Sequence, residues 1–213
     1  MTLVSTNRET GEQIRLAELE RKNQVLEAEV EQLRVYKDYA YTDVLTEVPN
    51  RRFYHERLIQ ETARARRGHH PLGLALVDLD HFKEINDQIG HRAGDQVLKF
   101  FSHFLRVNLR QEDVLCRIGG DEFSVILPDT DSQRAEVLFD RVKAKLDRID
   151  LSLDGRDDIR LSFSCGISSF SVEDSLEDFI DHADHALYSA KAQGRNQVVA
   201  SGLPPALANR FVN

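Results

Sequence analysis

Cysteine is scarce in this sequence. Cys116 and Cys165 are the only two, far apart and without metal-ligand spacing, which speaks against a disulfide scaffold and for reduced thiols packed in a core. No stretch of about 18 consecutive apolar residues occurs, so no segment reads as membrane-spanning. The opening MTLVSTNRETGEQ lacks the apolar stretch of a secretory signal, which predicts a cytoplasmic chain. Basic residues are the minority charge, 28 against 36 acidic ones, giving a formal net charge of −8. A nucleic-acid polymer, bound through many phosphate contacts, is therefore a poor partner. A single nucleotide, which needs only a local site, is not excluded. Internal repeats and low-complexity tracts are also missing. What remains is a globular composition, 41% hydrophobic and 30% charged, in 213 residues, a length for one domain and an appendage.

The appendage comes first. Residues 8–40 contain no proline, one glycine and many Glu, Arg, Lys and Leu. Leu16, Asn23, Val30 and Lys37 fall seven apart, and so do Leu19, Leu26, Leu33 and Ala40, forming the a and d positions of a heptad. An amphipathic helix lying on its own domain would share this pattern. The flanking charges favour a parallel pair, in which Arg15 meets Glu20, Lys22 meets Glu27 and Glu29 meets Arg34 of the other chain. Asn23, a lone polar residue at an a position, selects two strands in register. The expectation is a parallel, homodimeric coiled-coil stalk over residues 8–40, followed by a domain over residues 41–200 and an unassigned tail over residues 201–213.

Residues 50–67 read as a helix with Phe53, Leu58 and Ile59 on its apolar side. The run Leu72–Leu79 is a buried strand, and a helix follows from Ala93 to Val107. Segments Asp113–Ile118 and Glu122–Leu127, separated by Gly119-Gly120-Asp121, form a hairpin. Helices are expected over Asp131–Ile149 and Leu176–Ala192, the latter capped by Gly194, and strands over Leu161–Phe170 and Gln197–Ala200. Alternation with one forced antiparallel pair gives an α+β fold, a central mixed sheet flanked by helices.

Three acids sit at strand ends or turns: Asp78, Asp121 and Glu122. If their strands are neighbours the carboxylates converge, and a cation must offset their repulsion. All-oxygen ligation suits Mg²⁺, which sits between carboxylates and substrate phosphates. From spacing alone, ordinary turn acids explain them equally well. Backbone N–H groups in the turn after Leu79, from His81 to Lys83, are placed to hold phosphate oxygens. Asn86 and Asp95 follow, and a carboxylate can accept from the paired N–H donors of a guanine edge. Lys191 and Arg195 end a later helix, where they serve either dipole compensation or phosphate binding.

At this point the sequence resembles a known family. Arg117-Ile-Gly-Gly-Asp-Glu-Phe123 matches the signature of the diguanylate cyclase, or GGDEF, family. Asp43-Val-Leu-Thr46 with Asn50-Arg51-Arg52, Asp78-Leu-Asp-His-Phe-Lys-Glu-Ile-Asn-Asp87, Gly90-His91, Gly94-Asp95 and Ala183-Asp184 resemble other family segments in family order. So do Ala186-Leu-Tyr-Ser-Ala-Lys191 and Gly194-Arg-Asn196. The resemblance implies a nucleotidyl-cyclase-like sheet related to the palm of polymerases. It implies that Asp78, Asp121 and the carbonyl of Leu79 hold two Mg²⁺ or Mn²⁺ ions per GTP half-site. Gly119 and Gly120 would admit the α-phosphate and ribose, and Glu122 would assist deprotonation of the 3′-hydroxyl. Asn86 and Asp95 would read guanine, while His81, Phe82, Lys83, Lys191 and Arg195 bind the β- and γ-phosphates. Glu122, Asp121 and Lys83 form the implied catalytic set.

The same resemblance implies that two domains, each with one GTP, face each other in a homodimer to make cyclic di-GMP and two pyrophosphates. Arg110-Gln-Glu-Asp113, with Arg141, resembles the family's RxxD site, at which cyclic di-GMP inhibits its own synthesis; a lone Arg-x-x-Asp would read as a solvated ion pair, but its offset from the signature favours the inhibitory site. One departure stands out: Glu47-Val48 replaces the family's usual Gly-Leu at the junction of stalk and domain. Two rivals remain, a non-catalytic GTP or cyclic di-GMP receptor, and a scaffold whose stalk recruits another protein.

Overall fold

The computed structural model describes residues 3–153 and 156–201; the side chains of 3–14, 33–38 and 153–158 fall outside it. The chain divides into two units, one ending at Tyr41 and the other beginning at Thr42. The first is one continuous helix, α1 (Leu3–Tyr41). On it Leu16, Leu19, Leu26 and Val30 are between 48% and 59% exposed, so the heptad stripe is unburied within one chain. Leu33, Arg34 and Lys37 of the predicted heptad lie outside the described side chains.

The second unit runs α2 (Arg51–Gly68), β1 (Leu72–Leu79), α3 (Phe82–Ile89), α4 (His91–Asn108), β2 (Val114–Arg117), β3 (Glu122–Pro128), α5 (Ser132–Leu146), β4 (Asp150–Leu153), β5 (Arg156–Arg160), β6 (Phe163–Ser169), α6 (Leu176–Ala192) and β7 (Val198–Ala200). Five strands form one sheet in the order β2-β3-β1-β6-β7, antiparallel except for the β6–β7 pair. This is the expected mixed sheet.

Apart from Asp78 near its end, β1 is apolar because both faces are covered, and every residue of it is buried. Ala75, Val77 and Leu79 pack with Val97, Phe101, Phe139 and Val142 of α4 and α5. Leu72, Leu74 and Leu76 face the other way, against Leu58 of α2 and Phe179, Ala183 and Leu187 of α6. The period of two in the strand thus divides one sheet between two cores. Cys165 lies in the first core and Cys116 in the second, both as free thiols. Burial pushes Cys116 up to about 12, so it stays protonated.

Several expectations need correction. Ile59 is 52% exposed; the buried stripe of α2 is Tyr54, Leu58, Glu61, Thr62 and Ala65. α5 stops at Leu146 rather than Ile149, with Asp147 as its C-cap. Gln193 caps α6, and Gly194 follows at φ +114°, breaking the helix one residue later. Asp150–Leu153 and Arg156–Arg160, given no element from sequence, pair as the separate two-stranded β4–β5 sheet. The dipeptide Asp154-Gly155 between those strands is a hairpin signal that sequence reading could have used.

Candidate functional site

The three acids meet at one end of the sheet. β1 pairs with β3 so that Asp78 stands opposite Glu122, and the Leu79 N–H donates to the Asp121 carbonyl at 3.2 Å. The turn between β2 and β3 is closed by Ile118 and Gly119 N–H groups donating to the Glu122 carbonyl at 2.9 and 3.3 Å. A β-carbon on Gly119 would meet Glu122 Oε2 at 2.5 Å, while Gly120 faces open space. Arg117 holds the turn from below: its Nε and Nη2 donate to the Gly120 carbonyl at 3.1 and 2.7 Å, and its Nη1 to Asp43 Oδ1 at 2.9 Å.

Asp43 also accepts from the Thr46 N–H at 2.9 Å and the Thr46 hydroxyl at 2.6 Å. Burial acts to raise its pKa, but these hydrogen bonds and Arg117 outweigh it, and the carboxyl titrates below its ordinary value. Glu47, in the same turn, adopts φ +59°. The departure from glycine therefore keeps a left-handed backbone at this position.

Asp78 is buried, only 8% exposed. Burial raises its pKa, Lys191 opposes this, and Asp121 and Glu122 add to the rise. Lys191 reaches from the last turn of α6 to place Nζ 2.8 Å from Asp78 Oδ2. An internal ammonium thus stands where a cation is needed. Among the described residues, no three Asp, Glu, His or Cys side chains gather closely enough to hold a metal by themselves. The oxygen donors Asp78, Asp121 and the Leu79 carbonyl fit a hard cation that completes its shell with phosphate oxygens.

The segment after β1 turns sharply, with His81 at φ +59° before α3 and its Nδ1 2.7 Å from Glu84 Oε1. Phe82 packs on the core, and Lys83 is exposed on the first turn of α3. Asn86 lies across the start of α4 because Gly94 has no side chain: a β-carbon there would collide with the Asn86 amide. Asp95, the next residue, is exposed beside that contact.

Sequence reading assigned no role to Asp80, yet its buried carboxylate ties three segments together. It accepts from the Ser162 hydroxyl at 2.9 Å, the Ser164 hydroxyl at 2.7 Å and the Asn196 N–H at 2.9 Å. Gly194, Arg195 and Asn196 are three consecutive residues at positive φ, so Asp80 anchors the strained loop that carries Arg195. The signal for it was a second acid two residues after Asp78, at the buried end of an apolar strand.

Arg110, Asp113 and Arg141 come together elsewhere, lining a cavity of about 360 Å³ with Arg134, Val137 and Leu138. The loop is closed by the Arg110 N–H donating to Asp113 Oδ2 at 2.8 Å and the Asp113 N–H to the Arg110 carbonyl at 3.2 Å. Both bonds use Arg110 backbone atoms. Asp113 is raised by burial, against the pull of Arg110.

No helix among the described residues is long and apolar enough to cross a membrane. The diguanylate cyclase DgcP of Pseudomonas aeruginosa is 43% identical over 159 residues, which are 75% of this chain and 24% of that protein. The diguanylate cyclase DosC of Escherichia coli is 38% identical over 156 residues, 73% of this chain and 34% of that protein. The chain thus spans a quarter to a third of the length of these curated relatives. The crystal structure of the coiled coil and GGDEF domain of DgcB from Caulobacter crescentus in complex with c-di-GMP aligns with a TM-score of 0.77 at 29% identity, covering 85% of this chain and 98% of that one. Residues 40–197 match the family described as "Diguanylate cyclase, GGDEF domain", with the signature turn and its acids where the geometry gathers them, and the chain belongs to that family.

Proposed function

We propose that the chain is a metal-dependent diguanylate cyclase that condenses two GTP into cyclic di-GMP and two pyrophosphates across a homodimer interface. The observation that carries this reading is the register that sets Asp78 against Glu122 at the signature turn, with Lys191 and the Arg195 loop beside it. A receptor that had lost catalysis would not need this acid set intact. Asp78, Asp121 and the Leu79 carbonyl would hold Mg²⁺ or Mn²⁺, two per half-site. When bound, these ions polarise the α-phosphate and offset charge on the departing pyrophosphate.

The chain's own groups do the rest. Asn86 accepts from and donates to the guanine edge, with Asp95 accepting from its paired N–H donors. Lys83, Lys191, Arg195 and the backbone at His81 and Phe82 grip the β- and γ-phosphates. Gly119 and Gly120 let the turn approach the α-phosphate and ribose. Glu122 takes the proton from the 3′-hydroxyl. That oxygen then attacks the α-phosphorus of the GTP on the facing domain, the α–β anhydride bond breaks, and pyrophosphate leaves with the electron pair. Two such events close the ring. The exposed stripe of α1, with Asn23 in its a row, serves as a parallel coiled coil that brings the domains together. The Caulobacter crescentus DgcB structure, which comprises a coiled coil and GGDEF domain in complex with c-di-GMP, supports this arrangement. The cavity at Arg110, Asp113 and Arg141 binds product and restrains synthesis.

Incubation with GTP and Mg²⁺, with products identified by mass spectrometry, tests the reading. Cyclic di-GMP is expected from the wild type and none from Asp121→Asn, whose circular dichroism and oligomeric state should match the wild type. Normal turnover by Asp121→Asn would overturn the metal assignment. GTP binding without any product would favour the receptor.

A further inference from the structure

Asp78 is fixed and its partner is not. The carboxylate is at the buried end of β1, its side chain 11% exposed, next to Asp121 and Glu122. Lys191 is 33% exposed and approaches on a flexible four-carbon stem from the last turn of α6. Among the described residues it is the one basic side chain within ion-pair distance of Asp78. A buried carboxylate beside two others is costly without a counter-charge. The lysine supplies it, on the carboxylate that would hold the proposed metal.

We infer that Lys191 is a resident counter-ion that exchanges partners: it holds Asp78 in the empty half-site and moves to the nucleotide phosphates when metal and GTP arrive together. The inference rests on the proposed placement of metal at Asp78. Two cations on one carboxylate repel, so metal alone would have to displace the ammonium and leave it without an anion. Nucleotide alone draws the ammonium away and leaves Asp78 bare. When both arrive, each charge finds a partner. Metal and nucleotide therefore raise each other's affinity by the same factor, a reciprocal coupling built into one side chain. The device keeps the empty site folded and neutralised without stray divalent ions.

The test is equilibrium binding of Mn²⁺ to the full chain, read from the electron paramagnetic resonance signal of the free ion. It is run with and without a GTP analogue whose α–β bridge is a methylene. In the wild type, Mn²⁺ alone should bind weakly and the analogue should tighten it. In Lys191→Met and Lys191→Gln, Mn²⁺ alone should bind about tenfold more tightly than in wild type, since one charge-assisted contact no longer competes. With protein-free mixtures of Mn²⁺ and analogue subtracted, the analogue should then add clearly less than it does in wild type, because only the direct contacts of its phosphates to the ion remain. Lys191→Arg keeps a cation on Asp78 and should behave as wild type. Asp78→Asn should bind Mn²⁺ poorly under either condition. If Asp78→Asn loses Mn²⁺ while both neutral variants bind it no better than wild type, the exchange is wrong and the metal reading stands. If Asp78→Asn binds Mn²⁺ as wild type does, the metal reading fails and the exchange with it.

Discussion

Gly94 shows how one missing methyl group can set a specificity. The Asn86 amide occupies the space a β-carbon would need, which keeps it beside Asp95 on the proposed guanine-reading face. Gly94→Ala pushes the amide away while improving helix propensity by up to about 1 kcal/mol. The expected result is a protein of equal or higher thermal stability whose KM for GTP rises about tenfold, because one base contact is lost. An unchanged KM would remove Asn86 from base reading. Asp80 should behave in the opposite way. Its three donors leave no place for an amide N–H₂, so Asp80→Asn should cost roughly 1–3 kcal/mol in stability by urea denaturation. Equal midpoints for the two proteins would mean that the Arg195 loop holds itself.

The turn from Thr42 to Asn50 does its work as an element. It is closed by Asp43 N–H to the Val48 carbonyl at 2.8 Å, bonded to β2 through the Arg117 N–H and Pro49 carbonyl at 2.8 Å, and ended by Asn50, which caps α2. Asp43 and Arg117 join it to the signature turn by side chains. The folded-state pKa of Asp43 lies below its ordinary 3.8, so its ionised form stabilises the fold above that pH, and this is lost as pH falls through the folded value. Asp43→Asn should therefore be less stable than wild type at pH 7, with the gap shrinking below about pH 3.8; a constant gap across denaturation curves at several pH values would contradict the ion-pair account.

Elements of this kind were only half legible in the sequence. The apolar run of β1 and the Gly-Gly turn announce themselves, because their chemistry is local; the caps at Asn50, Asp131 and Ser175 are equally local, but the sequence reading drew on none of them. The β4–β5 hairpin is short and rich in charge, leaving only Leu151, Leu153 and Ile159 as an apolar signal, and Ile59 shows that an apolar residue on a helix need not face the core. The acids of the site were visible as residue types, while the Lys191–Asp78 pair and the Asp80 anchor join residues far apart in sequence and needed the fold to be seen.

At the scale of the molecule, the proposed product cavity and the proposed catalytic turn lie before and after the same short strand, β2. β2 has four residues, which separates Arg110–Asp113 from Gly119 by roughly 13 Å or more. The two functions should then be separable. Arg110→Ala should leave the initial rate with GTP near wild type and weaken inhibition by added cyclic di-GMP more than tenfold, since a guanidinium contributes one or two charge-assisted contacts. Equal inhibition of both proteins would reduce Arg110 to a surface charge. The stalk makes a second whole-molecule demand. If each domain holds half of an active site, the rate depends on how often two halves meet, and a coiled coil turns that encounter into an intramolecular one. Deleting residues 1–40 should leave a folded monomer whose specific activity is low at nanomolar protein and rises with concentration, whereas the full chain keeps constant specific activity over the same range. The comparison needs only initial rates across a dilution series, with sedimentation to record the oligomer at each point. A truncated chain that is fully active at every dilution would show that the exposed leucines of α1 serve something other than pairing the domains.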